Sequence, residues 1–518
     1  MISPLSLAEI AREIPGESAI IGDGATRIAG VHHDSRAVTA GDLFVVRKGA
    51  TRDGARFLAD AKANGAAAVL AAKGTVDPAA AGLPVLFVAD VADGLAYSAA
   101  AVYGHPAFSL EIVGITGTNG KTTTTHLVRA AVDAALGRPS CGTVGTIGHI
   151  FAGKVTHASH TTPEADELAR VLASMRKAGA SHVAMEVSSH ALDLGRVRAV
   201  RFRVAALTNL TQDHLDFHGT MEAYAAAKRA LFTTCAPGSA VLNVGDAFGR
   251  SLVPLVKAPL VRVSAAIGAD VDIAPLRVTM AAGGMDIVVK TPKGELRLQT
   301  RLVGAHNLEN VVVALGIAHA LDLDLARAAN GIAGEVGAPG RLERCDAPGD
   351  DVTVLVDYAH TPDALARVLD SVKSVAASRL WCVFGCGGDR DATKRGPMGE
   401  AAASRADAVV ITSDNPRTED PAAIAAPIEA AVAASGLPRV TFADLGAGAR
   451  GYAVELDRAE AIAQTIHAAA KGDVVVLAGK GHEDYQIVGA VKRHFDDREE
   501  ARKALATRRA AATEGRAS

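Results

Sequence analysis

The 518-residue sequence is poor in several things, and each shortage excludes a class of protein. Aromatic residues make up 4%, with a single Trp, and Cys numbers five. Five thiols, an odd count in so long a chain, do not make a disulfide scaffold and fit a reducing compartment. Cys382 and Cys386 have no second pair to answer them, so they are not read as a metal site. There is no long basic run, and 54 cationic against 57 anionic residues give a formal charge of −3, so the chain does not advertise nucleic-acid binding. No stretch is long and apolar enough for a membrane span; the weakly charged segment 94–110 is broken by His105-Pro106. The first residues lack a basic start followed by an apolar run, which predicts a cytoplasmic protein without a secretory signal.

What is present is a 49% apolar composition built largely from Ala and Val, with 51 Gly. That is enough for large cores and excludes disorder as the theme. Small side chains suit helices packed closely on sheets. At roughly 150 residues per domain, the length predicts about three domains, and the pattern divides accordingly into 1–106, 107–337 and 338–518. The first holds short apolar runs alternating with Ala-rich helical stretches, a small α/β domain. The second has buried-strand candidates at 111–117, 182–187, 204–209 and 239–244, then an alternating stretch at 275–304 that predicts an antiparallel β insertion. The third alternates strands at 353–357, 380–384, 408–412 and 473–478 with helices, a second doubly wound sheet. The charged tail predicts a helix.

The strongest chemical signal is Gly117-Thr118-Asn119-Gly120-Lys121-Thr122-Thr123, between an apolar strand and a helical stretch. A glycine-rich turn there lets backbone N–H groups face phosphate oxygens, the helix start adds partial positive charge, Lys121 can reach the β- and γ-phosphates and Thr122 a Mg²⁺ ion. The spacing departs from the strict form: Ile115 stands where a glycine would lie five places before Gly120. The loop alone leaves kinases, motors, switches and ligases open. His214 and His218 have the spacing of helical zinc ligands but lack the accompanying Glu, so zinc is not expected.

The loop resembles that of the Mur ligases, the ATP-dependent peptidoglycan amide ligases. Ordered matches run from Asp34-Ser35-Arg36 through Thr161-Thr162-Pro163-Glu164, Met185-Glu186-Val187-Ser188-Ser189-His190, Asp213-His214 and Ala226-Ala227-Lys228-Arg229. They continue through Asn307, Asn310, Gly340-Arg341, Asp357, Gly385 to Asp391, Asp414-Asn415-Pro416-Arg417 and Gly479-Lys480-Gly481-His482-Glu483. The resemblance implies an N-terminal UDP-sugar domain, a central ATPase domain and a C-terminal Rossmann-like domain for the incoming amino acid. It implies a carbon–nitrogen ligase that adds meso-2,6-diaminopimelate to UDP-N-acetylmuramoyl-L-alanyl-D-glutamate through an acyl phosphate, with no nucleic-acid partner, acting as a monomer. A sister ligase taking L-lysine, or a P-loop switch, are the alternatives.

By that resemblance Glu186 and His214 hold Mg²⁺ together with Thr122, and Lys228 is carbamylated by CO₂ so that it can bind a second ion. From its surroundings alone Lys228 reads as a solvated helix lysine. Asn307 and Asn310 resemble adenine-side residues; Arg341 and Asp357 resemble residues that meet the nucleotide when the C-terminal domain closes. Ser35, His160, Thr161, Thr162, Ser188 and Arg196 resemble contacts of the UDP-sugar dipeptide. Arg390, Asp414, Asn415, Pro416, Arg417, Gly479 and Glu483 resemble the diaminopimelate pocket. Diaminopimelate differs from lysine by a distal carboxylate, which a guanidinium grips through paired hydrogen bonds, and this makes Arg417 the discriminating residue.

Overall fold

The computed structural model describes residues 4–47, 54–156, 158, 160–281, 283–374, 376 and 378–517. By contacts the chain groups into two compact units. One comprises Met1–Ser264, Asp270–Ile273 and Val312–Gly331; the other comprises Ala265–Ala269, Ala274–Val311 and Ile332–Ser518.

Among the described residues the first unit holds a short antiparallel pair, Leu5–Ser6 with Arg27–Ile28, and two larger sheets. The smaller has the order Ser18–Ile21, Val85–Val88, Ala68–Ala72, Leu43–Val45, Val31–His32, parallel except for its first strand. The larger has eight strands: Lys154–Thr156, Gly148–Phe151, Cys141–Gly145, His182–Glu186, Glu111–Thr116, Phe202–Leu207, Ser239–Asn243 and Leu260–Val263. Gly148–Phe151 runs antiparallel to both of its neighbours, and every other pair is parallel. Parallel strands are covered on both faces, and the runs Ile112, Val113, Ile115 and Val204 to Leu207 are almost wholly buried. The chain leaves Glu111–Thr116 toward one side of the sheet and later passes from His182–Glu186 to the other side. The crevice of such a sheet lies at this reversal, beyond the carboxyl ends of the strands, and the phosphate loop is there.

The second unit contains a three-stranded antiparallel meander, Ala274–Ala281, Gly284–Thr291 and Gly294–Thr300, as the alternation predicted. By contacts these strands group with the C-terminal sheet, whereas the sequence division counted them with the central segment. That sheet has the order Glu343–Arg344, Thr353–Asp357, Val474–Ala478, Leu380–Phe384, Ala408–Ile411, Gly451–Val454, parallel apart from the short first strand. The charged tail forms the helix Asp497–Ala517. Among the described residues no helix is long and apolar enough to cross a membrane.

Candidate active site

In the first unit, Gly117 (φ 149°) and Gly120 (φ 83°) occupy backbone regions that favour glycine. A Cβ at Gly117 would lie 1.9 Å from the Thr208 hydroxyl, so no side chain fits there. The segment 208–211 holds the loop from behind. Thr208 Oγ1 donates to the Asn119 carbonyl (2.6 Å), the Asn209 carbonyl accepts from the Thr118 N–H (3.0 Å), and Asn209 Oδ1 accepts from the Asn119 N–H (3.0 Å). The helix Lys121–Leu136 then starts at Gly120, and the partial positive charge of a helix start favours an anion. Lys121 Nζ is folded onto its own loop, donating to the carbonyls of Gly117 and Thr118 at 2.9 Å.

Glu186, the last residue of its strand, is buried at 2% exposure. The Thr122 hydroxyl donates to its Oε2 (3.0 Å), and the Thr146 N–H to its Oε1 (2.9 Å). A Cβ at Gly145 would approach Oε1 to 2.2 Å, so that glycine makes room for the carboxylate. A hydroxyl beside a carboxylate is a hard-oxygen donor pair that suits Mg²⁺, an ion bound by one or two carboxylates plus phosphate and water. Among the described residues no group of three or more His, Cys, Asp or Glu could hold a metal ion.

His214 follows the strand Phe202–Leu207. It lies seven residues beyond Leu207, in the left-handed region (φ 52°), caps the short helix Leu215–His218 and is exposed. Its Nε2 is 3.4 Å from Asp213 Oδ2, and its ring lies edge-on to His190 at 4.8 Å.

Lys228 is the largest departure from the local pattern. On the helix Met221–Thr233 it is 1% exposed, not solvated. Its Nζ donates to the Gly117 carbonyl (2.9 Å) and stands 4.6 Å from the centre of the Tyr224 ring. Burial, and then the charge of Lys121, hold its ammonium well below the usual lysine range. Tyr224 was not singled out from sequence. It is 1% exposed, and its hydroxyl is 3.1 Å from Thr118 Oγ1. Burial pushes its phenol up to about 12, against the hydrogen bond it shares with Thr118. The available signal was its place four residues before Lys228, on the same helix face.

The residues expected to meet the UDP-sugar dipeptide partly converge. Thr162 is fully buried; its hydroxyl donates to the Glu186 carbonyl (2.9 Å) and accepts from the Ser188 N–H (3.0 Å). Arg196 donates to the Thr162 carbonyl (2.9 Å) and pairs with Glu164 (2.7 Å), which Arg47, two residues beyond the strand Leu43–Val45, also reaches (2.6 Å). Thr161 Oγ1 is 3.1 Å from Thr146 Oγ1. Glu164 is the N-cap of Ala165–Lys177, and Pro163 lies just before the cap. Ser35 is buried in a short 3₁₀ turn, and His160 is exposed.

The other candidates lie in the second unit. Asn307 donates to the Val303 carbonyl and accepts from Asn310, both amides being buried. The two oxygens of Asp357 accept from the N–H groups of Leu342 and Ala359, both at 2.8 Å, so the carboxylate holds a turn. Burial pushes it up, against the nearby Arg341 charge. Arg341 stands 5.0 Å over the Tyr358 ring.

Asp414 to Arg417 follow the strand Ala408–Ile411, and Gly479 to Glu483 follow Val474–Ala478. Asn415 Nδ2 donates to Glu483 Oε2 (2.9 Å), joining the two segments. Asp414 is buried, which pushes its carboxyl up, and a Cβ at Gly479 would lie 2.7 Å from its Oδ2. Pro416 is buried. Arg417, at φ 51°, donates from Nη1 to the Gly388 carbonyl (2.7 Å). A Cβ at Gly387 would be 3.0 Å from Arg417 Nη1 and 3.8 Å from Arg390 Cγ, so both arginines flank that glycine. The hairpin Tyr485–Val488 and Val491–His494 holds this loop: Ile487 accepts from the Arg417 N–H (3.0 Å), and Gln486 donates to the Asp414 carbonyl (2.8 Å).

Comparison with known proteins covers the whole of this arrangement. Residues 27–108 match the Mur ligase family, catalytic domain; residues 115–318 the Mur ligase middle domain; residues 340–481 the Mur ligase, glutamate ligase domain. The UDP-N-acetylmuramoyl-L-alanyl-D-glutamate--2,6-diaminopimelate ligase of Gloeobacter violaceus is 45% identical over 93% of this chain and 94% of its own length. The Streptomyces coelicolor protein of that name is 43% identical over 97% of each. A solved structure of a ligase with that name has a TM-score of 0.72 at 33% identity, covering 98% of this chain and 99% of the other.

Proposed function

The chain belongs to the Mur ligase family, and from that premise we propose that it joins meso-2,6-diaminopimelate to UDP-N-acetylmuramoyl-L-alanyl-D-glutamate in an ATP-driven reaction of the cytoplasm. The observation that carries this reading is the continuity of the match: relatives of one name align over 93% and 97% of the chain, through both the phosphate loop and the Asp414–Arg417 segment.

Joining a carboxylate to an amine is uphill in water. The D-glutamyl carboxylate attacks the γ-phosphorus of ATP, the bond to the ADP oxygen breaks, and an acyl phosphate forms. The amine then attacks the acyl carbon, a proton leaves the nitrogen, and phosphate departs. Gly117 to Thr123 would hold the phosphates, and Lys121 would exchange its two carbonyl contacts for phosphoryl oxygens. Thr122, Glu186 and His214 would hold Mg²⁺, and carbamylated Lys228 a second ion. When bound, the metal offsets the negative charge that builds on phosphoryl oxygens. The neutral amine of Lys228 can attack CO₂ and lose a proton to give the carbamate. Its burial and depressed ammonium supply that neutral amine.

Ser35, His160, Thr161, Thr162, Ser188 and Arg196 would seat the UDP-sugar dipeptide. Asn307, Asn310, Arg341 and Asp357 would serve the nucleotide; their hydrogen bonds within the unit account equally for helix and turn formation. Arg390 and Arg417 would take the distal carboxylate of diaminopimelate, and Glu483 its distal ammonium, with Asp414, Asn415, Pro416 and Gly479 shaping the pocket. Phosphate release from ATP, measured with the UDP-sugar dipeptide and a series of amino acids, tests the proposal. Stimulation by meso-diaminopimelate is expected. Stimulation by L-lysine instead would overturn the specificity, and release without either substrate would favour a switch.

A further inference from the structure

Lys480 is fully buried, yet the reading of the pocket gives it no task. An ammonium has three N–H donors, and Lys480 uses them on three acceptors: Glu483 Oε2 (3.1 Å), Asn415 Oδ1 (3.4 Å) and the Tyr485 carbonyl. Glu483 Oε2 therefore accepts twice, from Lys480 and from Asn415 Nδ2 (2.9 Å). Its other oxygen, Oε1, has among the described residues one hydrogen-bonding contact, the Tyr485 hydroxyl at a long 3.4 Å. One edge of the carboxylate is thus tied and the other left to accept. Asn415 is fixed in turn, since its Oδ1 also takes the Ile487 N–H (2.9 Å) from the hairpin.

A buried ammonium with three acceptors is an expensive way to hold a loop. Its removal leaves a half-buried carboxylate short of one charged partner and free to rotate. We infer that Lys480 is a positioning residue for amino-acid selection: by tying Glu483 Oε2 it presents Oε1 to a cationic group of the incoming substrate. The inference rests on the proposed diaminopimelate pocket and deepens it. The substrate ammonium is recognised by a carboxylate whose orientation is set from beneath, so geometry and charge are both prepared before binding.

The test uses the full chain as wild type, Lys480→Met and Lys480→Gln, with phosphate release measured against each substrate in turn and the melting temperature of each variant recorded. In Lys480→Met the KM for meso-diaminopimelate should rise about tenfold or more, the scale of a lost hydrogen bond to a charged group. The KM values for ATP and the UDP-sugar dipeptide should stay within about twofold, since they draw on other residues. Lys480→Gln, which keeps a donor, should recover part of the loss, and decides the matter if the Met variant does not fold. An unchanged KM for diaminopimelate in a folded variant, or an equal rise for all three substrates, would overturn the role of Lys480 while leaving the pocket assignment standing. A wild type indifferent to meso-diaminopimelate would overturn both.

Discussion

Lys228 and Lys480 are two lysines buried to the same degree, in different compact units, with different company. Lys480 has a carboxylate, an amide and a carbonyl as acceptors. Lys228 has one carbonyl and an aromatic face, and among the described residues no carboxylate lies within ion-pair distance. Burial without a counter-charge disfavours the ammonium relative to the neutral amine. Burial with a complete acceptor set ties the end of the side chain in place and makes it a strut. On the proposed reading the same side chain serves chemistry in one place and geometry in the other, and the neighbours decide which.

The sharpest way to break this contrast is Lys228→Met. If a carbamate on Lys228 binds metal, kcat should fall by about a thousandfold, the scale of losing a charge-stabilising group at a phosphoryl site. Wild-type enzyme equilibrated with ¹³CO₂ should give a carbamate NMR signal that the variant lacks. A variant retaining wild-type rate would reduce Lys228 to a packing residue.

A smaller effect is expected from Arg417→Ala, which removes a guanidinium from the amino-acid side only. The KM for meso-diaminopimelate should rise about ten- to a hundredfold, as for the loss of a charged hydrogen-bonded pair, with ATP affinity unchanged by calorimetry. Parallel loss of both would show that Arg417 supports the fold and not the substrate.

Tyr224→Phe asks whether Lys228 depends on the ring or on the hydroxyl. The ring over Nζ is kept, and only the bond to Thr118 goes, worth about 1 kcal/mol. A rise of a few-fold in the KM for ATP is expected, with the carbamate signal intact; loss of that signal would mean that the hydroxyl, too, prepares the amine.

The mildest test concerns another buried base without a counter-charge, His126, on the helix that follows the phosphate loop. Burial, and then Arg129, push its imidazolium down to about 3 from 6.5. Between these values the unfolded chain binds a proton that the folded chain refuses, so stability is lost as pH falls from 6.5 toward 3. His126→Leu should flatten the dependence of melting temperature on pH across that window. An unchanged slope would show that the histidine titrates normally.

Much of this was legible before any coordinates. Runs such as 111–117 and 353–357 form strands because Val, Ile and Leu in unbroken series can be satisfied only inside a covered parallel sheet. The alternation at 275–304 gives a meander because its period is two. The phosphate loop announces itself through glycines whose conformations other residues avoid. What could not be read locally is who meets whom. Thr122 and Glu186 are 64 residues apart, and Asn415 and Glu483 are 68 apart; they touch because the parallel strands before them end at the same edge of one sheet.

The sequence by itself therefore determined the α/β layers, the order of the motifs and the kinds of side chain at each strand end, since these follow from local periodicity and backbone allowance. Only the tertiary structure decided that Lys228 and Lys480 are buried, that one lacks a carboxylate and the other holds one, and that Tyr224 lies against both the loop and the amine. Burial and charge pairing belong to the packing of distant segments, and a lysine within an Ala-rich helix carries no local mark of either.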